Sequence, residues 1–221
     1  MYKTIRSKFK IFIIVIILIL SLIAIKKLVV DPQPVKDIKM NTVYIGGSGI
    51  EYPDDDQSRY YIEFKDDKTY ILMHDDSRRH QENYGEDGDG SRPEIEFLSG
   101  SYEIKNGNYV LTMTDIAGVE FKDVKAVKNK KINKFSYKKY KDGKKIKLMV
   151  ILTKKGNYLL GYLDSSGKSH DEHSFYYWLY NKSDIKKLPN SVEEFRNQFK
   201  MDKKAEQERL AEEARLTGQS Q

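Results

Sequence analysis

Alternating apolar and polar side chains predict that most of the chain beyond residue 42 is β-strand. The run 60–65 alternates in this way, and Asp66-Asp67 makes a turn into a second run, Thr69–Met73. Asn106-Gly107-Asn108 joins two more such runs, as expected of a tight hairpin. With eight to ten short strands at regular spacing, the pattern predicts an all-β domain, either an antiparallel meander barrel or a sandwich.

The later strands are apolar on both faces. The turn Lys141–Lys144 is predicted to separate the strands Lys134–Tyr140 and Ile146–Thr153, and a last strand is predicted at Ser174–Tyr180. Because both faces of these strands are apolar, a second layer must cover one of them, and it is either the chain itself, a partner or a ligand. Several aromatic residues are expected in the core, although they could also line a ligand cavity: Tyr102, Tyr109, Tyr158, Tyr162, Tyr177 and Trp178.

The N-terminal segment is predicted to be a transmembrane helix. Residues Ile11 to Ile25 include one polar side chain, Ser21, and Lys26 and Lys27 follow. Counted to residue 30, with the lysines reaching toward headgroups, the helix would extend about 30 Å, enough to span a bilayer. Basic residues before this segment predict a cytoplasmic N-terminus, with the rest of the chain extracytoplasmic. A cleaved signal peptide is the alternative.

The C-terminal segment is predicted to be helical. Ser191 and Glu194 have the spacing of a capping box, and Val192, Phe195 and Phe199 recur at helical spacing. From residue 200 the segment is mostly charged, which is typical of a solvated helix end. The predicted organisation is therefore a basic tip and signal anchor at 1–30, a spacer at 31–41, a β domain at 42–190, and a C-terminal helix and tail at 191–221.

Charge is distributed unevenly along the 221 residues. The net charge of +6 belongs to the first thirty residues, which contain six basic side chains and no acid. The remainder is neutral in sum, but residues 31–104 carry 18 acids against 8 bases, whereas residues 105–155 carry 15 bases against 4 acids. The overall basicity therefore reflects the charges around the N-terminal segment, which indicate its orientation in the membrane. Nucleic acid is not a favoured partner.

The basic block suggests a surface for an anionic ligand, because lysines interleaved with aromatic residues can bind anionic polymers. The competing interpretation is that these lysines form the solvated face of strands and protect their edges. In an envelope location, teichoic acid or lipid headgroups would be expected ahead of DNA. The candidate surface consists of Lys130, Lys131, Lys138, Lys139, Lys144 and Lys145.

Two segments are weak candidates for a metal site. Asp87, Asp89 and Ser91 have the spacing that opens a calcium loop, but the glycine and the bidentate carboxylate of that loop are missing. His170 and His173 flank two acids, although side chains three apart in a strand point to opposite faces. His74 and His80 form the other histidine pair. An acidic loop and strand histidines without metal are the simpler expectations, and no cofactor is predicted.

Catalytic signatures are missing from the sequence. The chain has no cysteine, which excludes disulfides, thiol catalysis and thiolate metal ligands. It also has no nucleophile elbow, zincin helix, P-loop or dinucleotide fingerprint. We therefore expect a non-catalytic protein, with an enzyme that uses a histidine pair and nearby carboxylates as the alternative.

The strand pattern resembles the small lipocalin-like domains found on exported, membrane-tethered proteins of Gram-positive bacteria. The residues that carry the resemblance are Tyr61–Tyr70, Gly100–Ile104 and Asn108–Thr112, within about fifty residues of the chain. It implies a barrel of adjacent hairpins and assigns no catalytic residue. The acidic loop at 82–94 and the lack of a lipid-accepting cysteine depart from the commoner form.

Together these features predict a single-pass cell-membrane protein with an extracytoplasmic β domain that binds a ligand without catalysis. The ligand would be a protein partner, an anionic envelope polymer or a small apolar molecule. The alternatives are an envelope hydrolase or metal-dependent enzyme, and an accessory or inhibitory subunit of a membrane complex.

Overall fold

The computed structural model describes residues 13–21, 31–47, 49, 51–85, 88–162 and 177–218. It divides into two compact units, residues 1–33 and 34–221. Among its described residues, the larger unit contains nine strands, three α-helices and a short 3-10 helix at Gln81–Asn83. The strands are β1 (Val43–Gly46), β2 (Arg59–Phe64), β3 (Thr69–Asp75), β4 (Glu94–Lys105), β5 (Asn108–Phe121), β6 (Lys131–Leu152), β7 (Tyr158–Tyr162), β8 (Tyr177–Trp178) and β9 (Lys200–Met201), and the helices are α1 (Val124–Lys128), α2 (Val192–Arg196) and α3 (Lys203–Gly218).

The sheet is a meander in which each strand from β1 to β8 pairs antiparallel with the next. Isolated bridges join the last strand region back to the first. Ile45 and Tyr180 exchange two backbone hydrogen bonds, of 3.2 and 2.8 Å, and Gly49 bridges to Tyr177. The all-β prediction is confirmed, and of the two expected architectures the structure is a nearly closed barrel.

An aromatic core fills the barrel. Its side chains come from all eight meander strands. Phe64 of β2 and Tyr109 of β5 have ring centroids 4.5 Å apart, although two strands separate them in the sheet. Such a contact requires the sheet to curl around these rings, so this core is the barrel interior. Four of the predicted core aromatics pack here: Tyr102, Tyr109, Tyr158 and Tyr177.

A second apolar core lies on the outer face of the sheet, where the chain's own C-terminal segment covers it. Phe195 of α2 stacks on Phe97 of β4 with ring centroids 5.4 Å apart, and Phe199 packs edge-on against Phe121 of β5. Trp178 packs against this core, whereas Tyr162 is exposed. The second layer that the doubly apolar strands require is thus partly supplied by the chain itself.

The spacer before β1 belongs to the barrel. The amide of Val35 donates to Leu179 and its carbonyl accepts from Tyr158, over 2.8 Å each. Val35 and Ile38 are buried in the interior core. The segment predicted as a free spacer therefore packs into the barrel from Pro34 onward, because its apolar side chains gain burial there.

One predicted turn is wrong. Residues 141–144 do not separate two strands, because β6 is continuous from Lys131 to Leu152. Its register against β5 jumps from Lys139 opposite Asp115 to Lys144 opposite Met113, so residues 140–143 form an extended bulge. Gly143 sits in the bulge with a φ of 69°, a left-handed conformation that favours glycine.

The C-terminal helix of the prediction is interrupted. Ser191 Oγ accepts from the amide of Glu194, so the predicted N-cap is present, but α2 ends at Arg196. The chain then runs as β9 beside the start of β6 before α3 begins at Lys203. Where one helix followed by a tail is predicted within 191–221, the described residues form two helices with a strand between them, since pairing with β6 satisfies the backbone there.

Residues 13–21 are helical, and the apolar side chains of 13–20 are exposed. In the described stretches, no helix combines the length and the apolar character needed to cross a bilayer. The predicted anchor residues Ile11, Ile25, Lys26 and Lys27 lie outside the described residues.

Candidate functional site

The candidate site is the lysine-rich central part of β6, which we call the lysine strip and define as Lys138, Lys139, Lys144 and Lys145. All four side chains are exposed. They lie on both sides of the bulge at 140–143 and pair through the backbone with the middle of β5. The other two predicted lysines, Lys130 and Lys131, are also exposed but lie at the start of β6.

No lysine of the strip forms an ion pair with an acid in the described part of the chain, although Lys145, after Lys105, contributes to lowering the pKa of Glu103. Three lysines of the block 105–155 do form ion pairs with described acids, Lys105, Lys122 and Lys134, and none of them belongs to the strip. Among the described residues the strip is therefore a surface with net positive charge, which raises the local concentration of anions.

Within the acidic block, arginines pair with four of the block's own carboxylates, Asp55, Asp75, Asp76 and Asp89. Arg78 pairs with Asp75 and Arg79 pairs with Asp76, over 2.8 and 2.7 Å. Among the described residues, two ion pairs join the two blocks: Lys105 with Glu103, two positions apart on β4, and Arg92 with Glu120 of β5. Sequence reasoning missed this arrangement because it summed charge without distinguishing arginine, which forms forked pairs, from lysine.

Two lysines of the strip share an aromatic ring. The Nζ atoms of Lys138 and Lys144 lie 4.9 and 5.7 Å from the ring centroid of Tyr140. These distances are in the range of cation–π attraction. Tyr140 thus holds two ammonium groups on one face of β6, on either side of the bulge.

The other two strip lysines lie on the opposite face. Neighbouring strand residues point to opposite sides of a sheet, and Lys139 and Lys145 are the immediate neighbours of Lys138 and Lys144. The register agrees, since Lys139 is opposite Asp115 and Lys145 is opposite Thr112, whereas Lys144 is opposite the buried Met113. The strip therefore presents two cations on each side of the sheet.

The acidic loop at 82–94 folds around Arg79. Asp89 accepts hydrogen bonds from Ser91, through both its amide and its hydroxyl, and from Arg79 Nη1 at 2.7 Å. These bonds to Ser91 and Arg79 hold the pKa of Asp89 well below its ordinary value. Arg79 also lies over the ring of Tyr84 at 4.5 Å. A cation at Asp89 would have to displace a guanidinium group. Asp87 lies outside the described residues.

The histidines are not brought together where the structure describes them. His74 stacks on Tyr60 with ring centroids 4.3 Å apart, and its Nδ1 is 3.9 Å from Glu96. His80 is exposed and pairs with Asp56 over 3.1 Å. Among the residues that the structure describes, no group of three His, Asp or Glu side chains could hold a metal ion. His170 and His173 lie outside them.

A groove of about 570 Å³ lies on the surface, and Gly100 of β4 is one of its lining residues. Most of its polar groups already have partners: Lys65 pairs with Glu63, Thr69 donates to Asp67, and Asn190 donates to Glu194. No histidine lines it. The buried Tyr70 hydroxyl in its lining has no hydrogen-bond partner in the described part of the chain, but the one lysine of the groove, Lys65, is paired with Glu63, so the lysine strip is the better candidate for a surface that binds an anion.

The comparisons with known proteins were negative at each level. The chain has no significant match to a protein-family model, to a curated protein or to a solved structure. Function has to be argued from the site itself.

Proposed function

We propose that the chain is a non-catalytic binding protein, tethered to the cell membrane by its N-terminal segment, whose barrel binds an anionic envelope polymer outside the cell. The observation that carries the proposal is the lysine strip, four exposed lysines that form no ion pair in the described part of the chain. Anionic polymers are the partners that such a surface attracts over the longest range.

The resemblance to membrane-tethered lipocalin-like domains supports the same proposal. Eight meander strands that curl into a barrel are the architecture of that class. A small apolar ligand inside the barrel is less well supported, since interacting aromatic rings occupy the interior: Phe64, Tyr102, Tyr109 and Tyr158.

Binding of long-chain inorganic polyphosphate to the full-length protein in a neutral detergent tests the ligand. The test variant replaces all four strip lysines by glutamine. A matched control replaces four exposed lysines elsewhere, Lys125, Lys128, Lys154 and Lys155, so that both variants lose the same charge.

We expect the strip variant to lose at least tenfold in affinity. The negative slope of its log affinity against log salt should become shallower by about 3, as for four lost contacts with a single-stranded polyanion. The control should remain within about twofold of wild type. Equal losses in the two variants would show that net charge alone is responsible and would overturn the assignment of the strip.

The location is tested separately on intact cells. External protease should remove the barrel if the apolar segment is an uncleaved anchor with a cytoplasmic N-terminus. Protection of the barrel until the membrane is broken would contradict an extracytoplasmic location, whatever the outcome of the binding assay.

A further inference from the structure

The lysine strip presents its charges on two faces, and this arrangement bears on the form of the ligand. Lys138 and Lys144 share a face with Tyr140, and Lys139 and Lys145 lie on the other face. A planar membrane can approach one face of a strand at a time, so it would engage two of the four cations. Within the described residues β6 pairs between positions 133 and 147 with β5 alone, so a flexible chain can pass around its other edge and engage all four.

We propose that the ligand is a linear, flexible polyanion that contacts both faces of β6 at the bulge. This inference rests on the proposed function and adds the form of the ligand. The bulge contributes because it takes residues 140–143 out of the pairing with β5, so that lysines lie on either side of an unpaired stretch of β6. A polymer that crosses this stretch meets cations on both sides.

Tyr140 is the positioning residue of one face. Its ring lies within 6 Å of two ammonium groups that would otherwise repel each other. The other face has no such ring contact among the described residues. The two faces can therefore be tested separately.

The experiment uses two double variants of the full-length protein. One replaces Lys138 and Lys144 by glutamine, and the other replaces Lys139 and Lys145. Lys154→Gln with Lys155→Gln, at an exposed turn, is the charge-matched control. Each protein is measured with long-chain polyphosphate, with inorganic triphosphate, and with vesicles of anionic phosphatidylglycerol against vesicles of phosphatidylcholine.

We expect each face variant to weaken binding of long-chain polyphosphate by about five- to tenfold, and the fourfold variant to combine both losses. The short triphosphate should bind far more weakly and depend little on whether one face or both are intact, because it cannot reach around the strand. Tyr140→Leu should weaken polymer binding about threefold, and this loss should vanish when Lys138 and Lys144 are already replaced.

Three outcomes would contradict this proposal, and each would do so in a different way. If one face variant alone loses polymer affinity, the proposed function stands and the two-face contact is wrong. If one face carries tight binding to anionic vesicles while polyphosphate binds weakly, the ligand is a membrane surface and not a polymer. If no strip variant changes any affinity, the proposed function itself fails.

Discussion

Arg59 and Asp184, which are 125 positions apart in the chain, form an ion pair between a buried guanidinium and a partly exposed carboxylate, and this pair joins β2 to the segment after β8. Arg59 Nη1 donates to Asp184 Oδ2 over 2.9 Å, and Arg59 is 1% exposed. Asp184 also accepts from Tyr61 and pairs with Arg78, each at 2.9 Å. One carboxylate therefore holds three donors from the barrel and fixes the start of the C-terminal segment against it.

We expect Asp184→Ala to destabilise the protein by about 2 kcal/mol. Removing one partner of a buried pair leaves the other charge uncompensated, which costs about 3–5 kcal/mol when both are fully buried. The lower figure applies because the Asp184 side chain is 34% exposed and Arg59 keeps Asp55 as a partner.

Urea unfolding followed by the fluorescence of Trp178, the single tryptophan, measures this loss. Asp142→Ala, at an exposed position in the bulge, is the control and should change stability by less than about 0.5 kcal/mol. Asp184→Asn, which keeps an acceptor and loses the charge, should fall between the two. A loss at Asp184 no larger than at Asp142 would mean that the pair contributes nothing.

The backbone of β5 leaves no room for a side chain at Gly100 of β4. The β4–β5 register shifts between Ser99 and Gly100, and a Cβ at Gly100 would lie 2.0 Å from the carbonyl oxygen of Thr112. Since backbone must move to accommodate it, we expect Gly100→Ala to cost about 1–3 kcal/mol. Gly118→Ala, on the same pair of strands, would meet the mobile Ser136 hydroxyl at 3.0 Å and should cost clearly less. Equal urea midpoints for the two variants would contradict the close contact between Gly100 and the backbone of Thr112.

The sequence predicted the antiparallel all-β class, with barrel and sandwich both open, because its strands follow a simple periodicity. Residues 60–64 alternate between faces, and the structure places Ile62 and Phe64 in the interior core and Tyr61 in the outer one. Turn residues such as Asn106 and Gly107 have the positive φ that their composition predicted. The sequence was sufficient to predict the local structure wherever that structure depends on residues close together in the chain.

The prediction failed where the structure depends on residues that are far apart in the chain. The segment Lys141–Lys144 has good turn composition, but β5 is long enough to pair with β6 on both sides of it, so a bulge forms in place of a hairpin. Likewise, nothing near Arg59 in sequence indicates Asp184. The lysine strip could be proposed from composition, but its division between two faces could not, because the bulge sets which side chains share a face.

The interior tyrosines should make the protein sensitive to alkali. Burial raises the pKa of Tyr109 to about 12, and it also raises the pKa of Tyr70 and Tyr102 above the ordinary value of 10.0. Between about pH 10 and 12 the native state therefore keeps protons that the unfolded state has lost, so the free energy of unfolding falls as the pH rises.

Ultraviolet absorbance of tyrosinate should show this as a late, cooperative rise that coincides with unfolding by circular dichroism. The same chain in denaturant supplies the control, where tyrosines should titrate near pH 10 without cooperativity. Interior tyrosines that ionise near pH 10 while circular dichroism remains native would show that the core admits solvent.

The loop around Arg79 should loosen in acid, because Asp89 supplies its hydrogen bonds only when it is ionised. The pKa of Asp89 is lowered first by the bonds from Ser91 and then by Arg79, so the ion contributes stability above the ordinary pKa of 3.8 that is lost as the pH falls toward the native value. We expect limited proteolysis within 82–94 to accelerate below about pH 4 in the wild type. Asp89→Asn should be cleaved readily at neutral pH as well, whereas Asp142→Asn should behave as wild type. A loop that stays resistant in Asp89→Asn would mean that Arg79 is held by Asp76 and Tyr84 alone.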